Sequence, residues 1–203
     1  MGTINEAVAA IRAGEPVILP TDTVYGLCAT PYRAEPVARL YQLKGRPETV
    51  PSALLCSDLD VLFECVPELR GRSAVLARAV LPGPYTLILP NPARRFRWLN
   101  GLELDTIGVR VPALDGPGRE VLEQVGAVAA TSANRHRGLD PRRLEDVPPE
   151  LREACGAEVD GGELPGKPST VIDLTGPEPR ILREGALAAE EALRRLGAAV
   201  RSG

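Results

Sequence analysis

Two short clusters carry the side chains best suited to holding an anion: Lys44-Gly45-Arg46 and Ser132-Ala133-Asn134. The first joins a compact ammonium to a forked guanidinium. The second sets a hydroxyl and an amide two residues apart, just after the apolar run Val128-Ala129-Ala130. Each also has a plainer reading. Cations at a helix C-terminus complement the macrodipole, and Ser-x-Asn after a strand is a common cap or turn. One compositional feature weighs against the plain reading of the first cluster. Lys44 and Lys167 are the only lysines among 24 Lys+Arg, so arginine fills every other basic position. An ammonium reaches a phosphate or carboxylate as a point charge where a guanidinium does not fit. Both lysines also lie beside glycine and proline, in KGRP and GKPST, as close backbone approach to a ligand requires. A coding bias toward arginine is the competing explanation.

Other chemistries find less support. The phosphate-loop pattern GxxxxGK[ST] is missing, and so is GxGxxG followed by an acid, so any nucleotide site is neither of those kinds. His136 is the sole histidine and sits in the basic stretch NRHRG, which suits an exposed loop better than a hydrolytic triad. Cys28, Cys56, Cys65 and Cys155 form no CxxC pair, which argues against a zinc cage and for free thiols. Aromatics make up 3% of the chain and its formal net charge is -3, a poor start for a base-stacking nucleic-acid binder. Glu6 interrupts the N-terminal stretch where a signal peptide would be apolar. No run is long and apolar enough to span a membrane, so the expected location is cytoplasmic, without membrane partners.

The elements that must position these residues follow from pattern. With 203 residues, one domain over 1–203 is expected. Asn5 is expected to cap a first helix that stops at Gly14. Val17-Ile18-Leu19 reads as a short buried strand feeding the loop PTDTVYGL. A helix starting at Pro36 carries Val37, Leu40, Tyr41 and Leu43 and ends at Gly45, which leaves Lys44 at its C-terminal end. Strands are expected at Ala53–Cys56, Tyr85–Leu89, Ile107–Val111, Ala127–Ala130 and Thr170–Leu174. Helices are expected at Ser73–Val80 and Arg119–Val125, with Leu139–Pro149 as a long loop. Interspersed strands and helices make this an α/β fold, and 20 Gly with 20 Pro imply many loops.

Seven segments taken in order carry a resemblance. They are PTDTVYGL (Pro20–Leu27), KGRP (Lys44–Pro47), LPGPYTLILP (Leu81–Pro90), DTIGVRVP (Asp105–Pro112), TSAN (Thr131–Asn134), STVIDL (Ser169–Leu174) and ILREG (Ile181–Gly185). In order and spacing the chain resembles the YrdC-like threonylcarbamoyl-AMP synthases, from about residue 6 to residue 190. The resemblance implies a twisted mixed sheet with surrounding helices that enclose a deep basic cavity. Its marker tetrad falls on Lys44, Arg46, Ser132 and Asn134, with Lys44 and Arg46 expected to be catalytic. It further implies nucleotide contacts at Thr106, Asp140 and Arg183, and a threonine site formed by Thr21, Tyr25, Arg110, Ala130 and Ser169.

The implied substrates are ATP, with Mg²⁺ carried by the nucleotide, L-threonine and bicarbonate. The implied partners are tRNA or double-stranded RNA and downstream threonylcarbamoyl-transfer proteins. Like-charge crowding in such a reaction calls for cations and preorganised donors more than for a nucleophile. Arg110 would grip the threonine carboxylate as a bidentate fork. The chain departs from the family pattern where Leu55 replaces a histidine of longer members, and where Gly166-Lys167-Pro168 replaces Gly-Val-Glu. Two rival readings stay open: an RNA-binding module of the same fold, and a paralogue with another carbamoylation substrate.

Overall fold

Alternation along the strands decides which face of the sheet is core and which is cavity. The computed structural model describes residues 2–202. Its nine-stranded sheet runs in the order β7-β1-β2-β6-β3-β5-β4-β8-β9. The strands are β1 Val17–Leu19, β2 Gly26–Ala29, β3 Ala53–Cys56, β4 Tyr85–Pro90, β5 Thr106–Arg110, β6 Ala127–Ser132, β7 Ala157–Glu158, β8 Thr170–Asp173 and β9 Arg180–Arg183. Pairing is parallel for β1–β7, β3–β5 and β4–β8, and antiparallel elsewhere. This is the mixed α/β fold expected from the sequence.

One face of the sheet carries α2 Ala34–Lys44, α3 Leu59–Cys65, α4 Arg72–Val80, α6 Pro149–Glu153 and α7 Ala189–Ser202, packed over the larger apolar core. The opposite face carries only α1 Ile4–Ala13 and α5 Pro117–Val125, whose Val8, Ile11, Val121 and Leu122 meet Val17, Leu19, Leu55 and Val128. Those two helices cover the β1–β6 half. Over β5, β4 and β8 that face has no helix among the described residues. There the period-2 alternation turns Leu87, Leu89, Ile107 and Val109 into the core and leaves Thr86, Ile88, Gly108 and Arg110 on the open side.

Several local expectations need correction. Thr3, not Asn5, caps α1: its hydroxyl accepts the Glu6 N–H at 3.2 Å while Glu6 accepts the Thr3 N–H at 2.6 Å, a reciprocal box. Helix α2 starts at Ala34, so Pro36 lies within its first turn, where a missing N–H costs nothing. The end of PTDTVYGL is strand, since Gly26 and Leu27 open β2. The loop Leu139–Pro149 contains a 3₁₀ turn at Leu144–Asp146 and leads into α6. Gly45 ends α2 in the left-handed region at φ 64°, as its position suggested. Among the described residues no helix is long and apolar enough to cross a membrane.

The ILREG motif owes its glycine to crowding. A Cβ on Gly185 would overlap the Pro168 carbonyl oxygen and lie 2.6 Å from the Ser169 carbonyl carbon, both backbone atoms that cannot swing aside. Gly185→Ala is therefore expected to cost about 1–3 kcal/mol, read as a fall of several degrees in the thermal midpoint. An unchanged midpoint would show that the segment gives way freely.

Candidate active site

The open half of the sheet is the floor of a cavity of about 720 Å³. Three loops wall it: Pro20–Tyr25 between β1 and β2, Arg46–Ala53 after α2, and the segment leading into β8. Thr21, Arg46, Thr106, Arg110, Ala130, Ser132, Asp140, Ser169 and Arg183 all line it, bringing together nine of the twelve residues singled out above. Lys44, Asn134 and Tyr25 lie behind its wall.

Lys44 is not a solvated helix-end cation: it is 2% exposed. Its ammonium donates to the carbonyl and hydroxyl oxygens of Ser132 at 2.6 and 3.2 Å, to the Asn134 carbonyl at 3.0 Å and to Asn134 Oδ1. Asn134 Nδ2 in turn donates to the Gly138 carbonyl at 2.7 Å and to Asp140 at 3.2 Å. The ammonium thus ties the end of β6 to α2 and organises Ser132 and Asp140 in the wall. Burial, followed by the charge of Arg46, pulls the Lys44 pKa down to about 8, and Asp140 acts against that. The oxygens around the ammonium also favour its charged form.

Arg46 donates to the carbonyl oxygens of Val50, at 3.3 Å, and Pro51. Arg183 donates to the Ser169 carbonyl at 2.9 Å and to its hydroxyl at 3.2 Å. Neither guanidinium has a carboxylate partner among the described residues. Burial, with Arg183 nearby, lowers the Arg46 pKa. The cavity is nevertheless not basic throughout, because its lining holds four arginines and also Glu103, Asp140 and Asp173. Arg180 pairs with Asp173 at 2.5 Å, and Arg110 pairs with Asp22 at 2.6 Å. The unpaired positive charge rests on Arg46 and Arg183, and among the lining carboxylates Glu103 and Asp140 have no ion-pair partner among the described residues.

On β5, Arg110, 11% exposed, has its Nη2 committed to Asp22 and, at 3.1 Å, to the Thr23 hydroxyl. The Asp22 carboxylate also accepts the Ala113 N–H at 3.1 Å. Arg110 Nε is buried and has no partner. Burial lowers the Arg110 pKa and raises that of Asp22, each opposed by the other's charge. A bidentate grip through Nη2 would therefore have to displace Asp22 or Thr23.

A family model described as telomere recombination, the Sua5/YciO/YrdC model, matches residues 9–185. The chain belongs to this family. A threonylcarbamoyl-AMP synthase of Pyrococcus abyssi is 35% identical over 189 residues, which cover 93% of this chain and 55% of that protein. The solved structure of that organism's Sua5 with L-threonine superposes with a TM-score of 0.84 at 34% identity, covering 96% of this chain and 57% of the other. A putative threonylcarbamoyl-AMP synthase of Mycobacterium tuberculosis is 33% identical over 195 residues, covering 96% of this chain and 89% of that one. Escherichia coli YciO, at 28% identity, gives a TM-score of 0.81 with 92% and 91% covered. The chain thus spans about half the length of the Pyrococcus relative and most of the other two.

Within this Sua5/YciO/YrdC frame, two departures in the sequence have a place. Leu55 is buried in the apolar layer with α5 and is the register partner of Arg110, without itself lining the cavity. Lys167 is exposed, while its neighbours Pro168 and Ser169 form the wall, so the added base does not enter the site. The sequence reading missed Asp22 and Thr23, which fix Arg110. Their signal was their place in PTDT, beside the one residue of that motif singled out.

Proposed function

We propose that the chain is an L-threonylcarbamoyladenylate synthase. The observation that carries this reading is the kind of charge that lines one cavity. Its lining holds Arg110, neutralised by Asp22, on β5, and two guanidiniums without carboxylate partners, Arg183 on β9 and Arg46 after α2. A zwitterion fits beside the first and a triphosphate beside the other two. The names of the Pyrococcus and Mycobacterium relatives support the assignment.

In this reading the threonine amine adds to the carbon of bicarbonate, with loss of water, to give an N-carboxylate. One oxygen of that carboxylate then attacks the α-phosphorus of ATP, and the bond to the departing pyrophosphate breaks. Arg46 and Arg183 hold the phosphates, Thr106 and Asp140 border the nucleotide, and Ser132 presents its hydroxyl from the end of β6. Thr21, Arg110, Ala130 and Ser169 surround the amino acid. Holding the reactants in line supplies most of the acceleration. Mg²⁺ enters as part of the nucleotide substrate. The mixed anhydride serves the threonylcarbamoyladenosine modification of tRNA, through a downstream transfer protein. Four unpaired cysteines suit a reducing cytoplasm.

Pyrophosphate release should require threonine and bicarbonate together. Serine, which lacks one methyl, should turn over about 10–200-fold less efficiently. Equal release from ATP alone would end the assignment, and comparable turnover with another amino acid would redirect it to a different carbamoylation.

A further inference from the structure

The segment from Val159 to Pro168 has no regular secondary structure, yet it is fastened along its length. A single buried atom holds three of the bonds. The Tyr25 hydroxyl accepts the Gly161 N–H at 2.9 Å, and its own proton has two acceptors, Asp160 Oδ1 at 2.8 Å and the Gly162 carbonyl at 2.9 Å. Further along, the Leu164 N–H donates to the Arg142 carbonyl at 2.8 Å and the Gly166 N–H to the Thr23 carbonyl at 2.9 Å. The strap also presses on the loop below it: a Cβ on Gly161 would lie 2.6 Å from the Cβ of Pro20. Ion pairs from Glu163 to Arg142 and Arg143 are exposed and add little.

Burial is the main reason that the Tyr25 pKa rises to about 12, so the hydroxyl keeps its proton at neutral pH. The ring fills the large core beneath the sheet, but nothing in that apolar role calls for a hydroxyl. The strap ends at Pro168 and Ser169, which line the cavity, and the Ser169 hydroxyl is 2.7 Å from that of Thr86. Two of the strap's anchors, Thr23 and Tyr25, belong to the loop that brings Thr21 and Thr23 to the amino-acid end. Arg183 is held by the pairing of β9 with β8, and it also donates to the Ser169 carbonyl and hydroxyl at the end of the strap.

We propose that Tyr25 is a positioning residue: without touching substrate, its hydroxyl latches the strap 159–168 onto the Pro20–Tyr25 loop and so fixes the wall of the amino-acid end. The kinetic part of this rests on the reading of the cavity given above. The structural part does not.

Tyr25→Phe deletes only the hydroxyl. Amide exchange at Gly161, Gly162, Leu164 and Gly166 should quicken by about tenfold or more while β4 and β5 amides keep their protection. The KM for threonine should rise about five- to tenfold and that for ATP by less, since Arg183 keeps the β9–β8 pairing as a second support. Asp160→Ala, at an exposed position, should give the same pattern more weakly while also freeing the Gly162 N–H that Asp160 accepts, and the double variant should fall short of the sum of the two singles. Unchanged exchange in the strap of both single variants would overturn the latch. Equal rises in both KM values would overturn its assignment to the amino-acid end. Wild-type protein that turns over without threonine would defeat the functional reading, leaving the exchange experiment to decide the latch by itself.

Discussion

Exchanging Lys44 for arginine will lower catalytic efficiency by at least about tenfold and depress the thermal midpoint, although charge is conserved. The ammonium sits among oxygens of Ser132 and Asn134 at contact distance, 2% exposed, with no room for a planar group of twice the breadth. A guanidinium must push β6 away from α2, an overpacking that costs about 1–3 kcal/mol. It also breaks hydrogen bonds to a charged donor, worth about 1.5–3 kcal/mol each. Because Ser132 and Asp140 lie in the wall that Lys44 organises, the displacement reaches the nucleotide site proposed above, and each 1.36 kcal/mol of lost transition-state stabilisation is about a factor of ten. The same residue gives the rate a pH signature. Below about 8 Lys44 is charged in folded and unfolded chains alike. Between about 8 and its ordinary 10.5 only the unfolded chain holds the proton. Its contribution to stability therefore rises with pH across that window, while the charge behind the phosphates is lost and turnover falls. Arginine should abolish that alkaline limb. Wild-type rates, midpoint and pH profile in Lys44→Arg would return the lysine to the role of a helix-end cation.

Replacing Arg110 with methionine will destabilise the protein by about 3–5 kcal/mol, the cost of stranding a buried charge. Asp22, 5% exposed at its side chain, would then keep only the Ala113 N–H. For a chain of this size that is a midpoint shift of roughly 6–20 °C. The deficit should shrink as pH falls, because burial has already raised the Asp22 pKa and a proton removes the uncompensated charge. Threonine should bind on the order of a hundredfold more weakly, since a charge-assisted contact is lost. Adding Asp22→Asn should restore most of the stability and none of the threonine affinity. If Arg110→Met melts like wild type, the pair is not structural; if threonine still binds normally, Arg110 is not at the amino-acid end.

Strand positions were legible where short apolar runs stood between turn residues: Ala53–Cys56 was read to the residue, and Tyr85–Pro90 and Thr106–Arg110 to within one. Strand β2 was hidden because Gly26–Ala29 contains a glycine and continues a loop-like motif. Strand β9 was hidden because it is mostly exposed and carries arginine at both ends. Helix α3 had a capping signal in Asp58 that accepts the Val61 N–H at 2.8 Å, but seven residues give too short a period to read. For the site, motif order identified which residues gather round the cavity, but not which way each one faces. Lys44, Asn134 and Tyr25 are spent on protein contacts, and Arg110 is half claimed by Asp22, because these depend on tertiary partners far away in the chain.

The sheet order has a consequence for biosynthesis. Strand β8 lies beside β4, so the floor of the cavity stays open at one edge until Thr170–Asp173 has left the ribosome. The strands that carry Arg110 and Ala130, β5 and β6, can pair before then, whereas the strap, Ser169 and the Arg183 of β9 join them only with or after β8. An emerging chain thus exposes the β4 edge and its apolar neighbours to wrong pairing until β8 has been made.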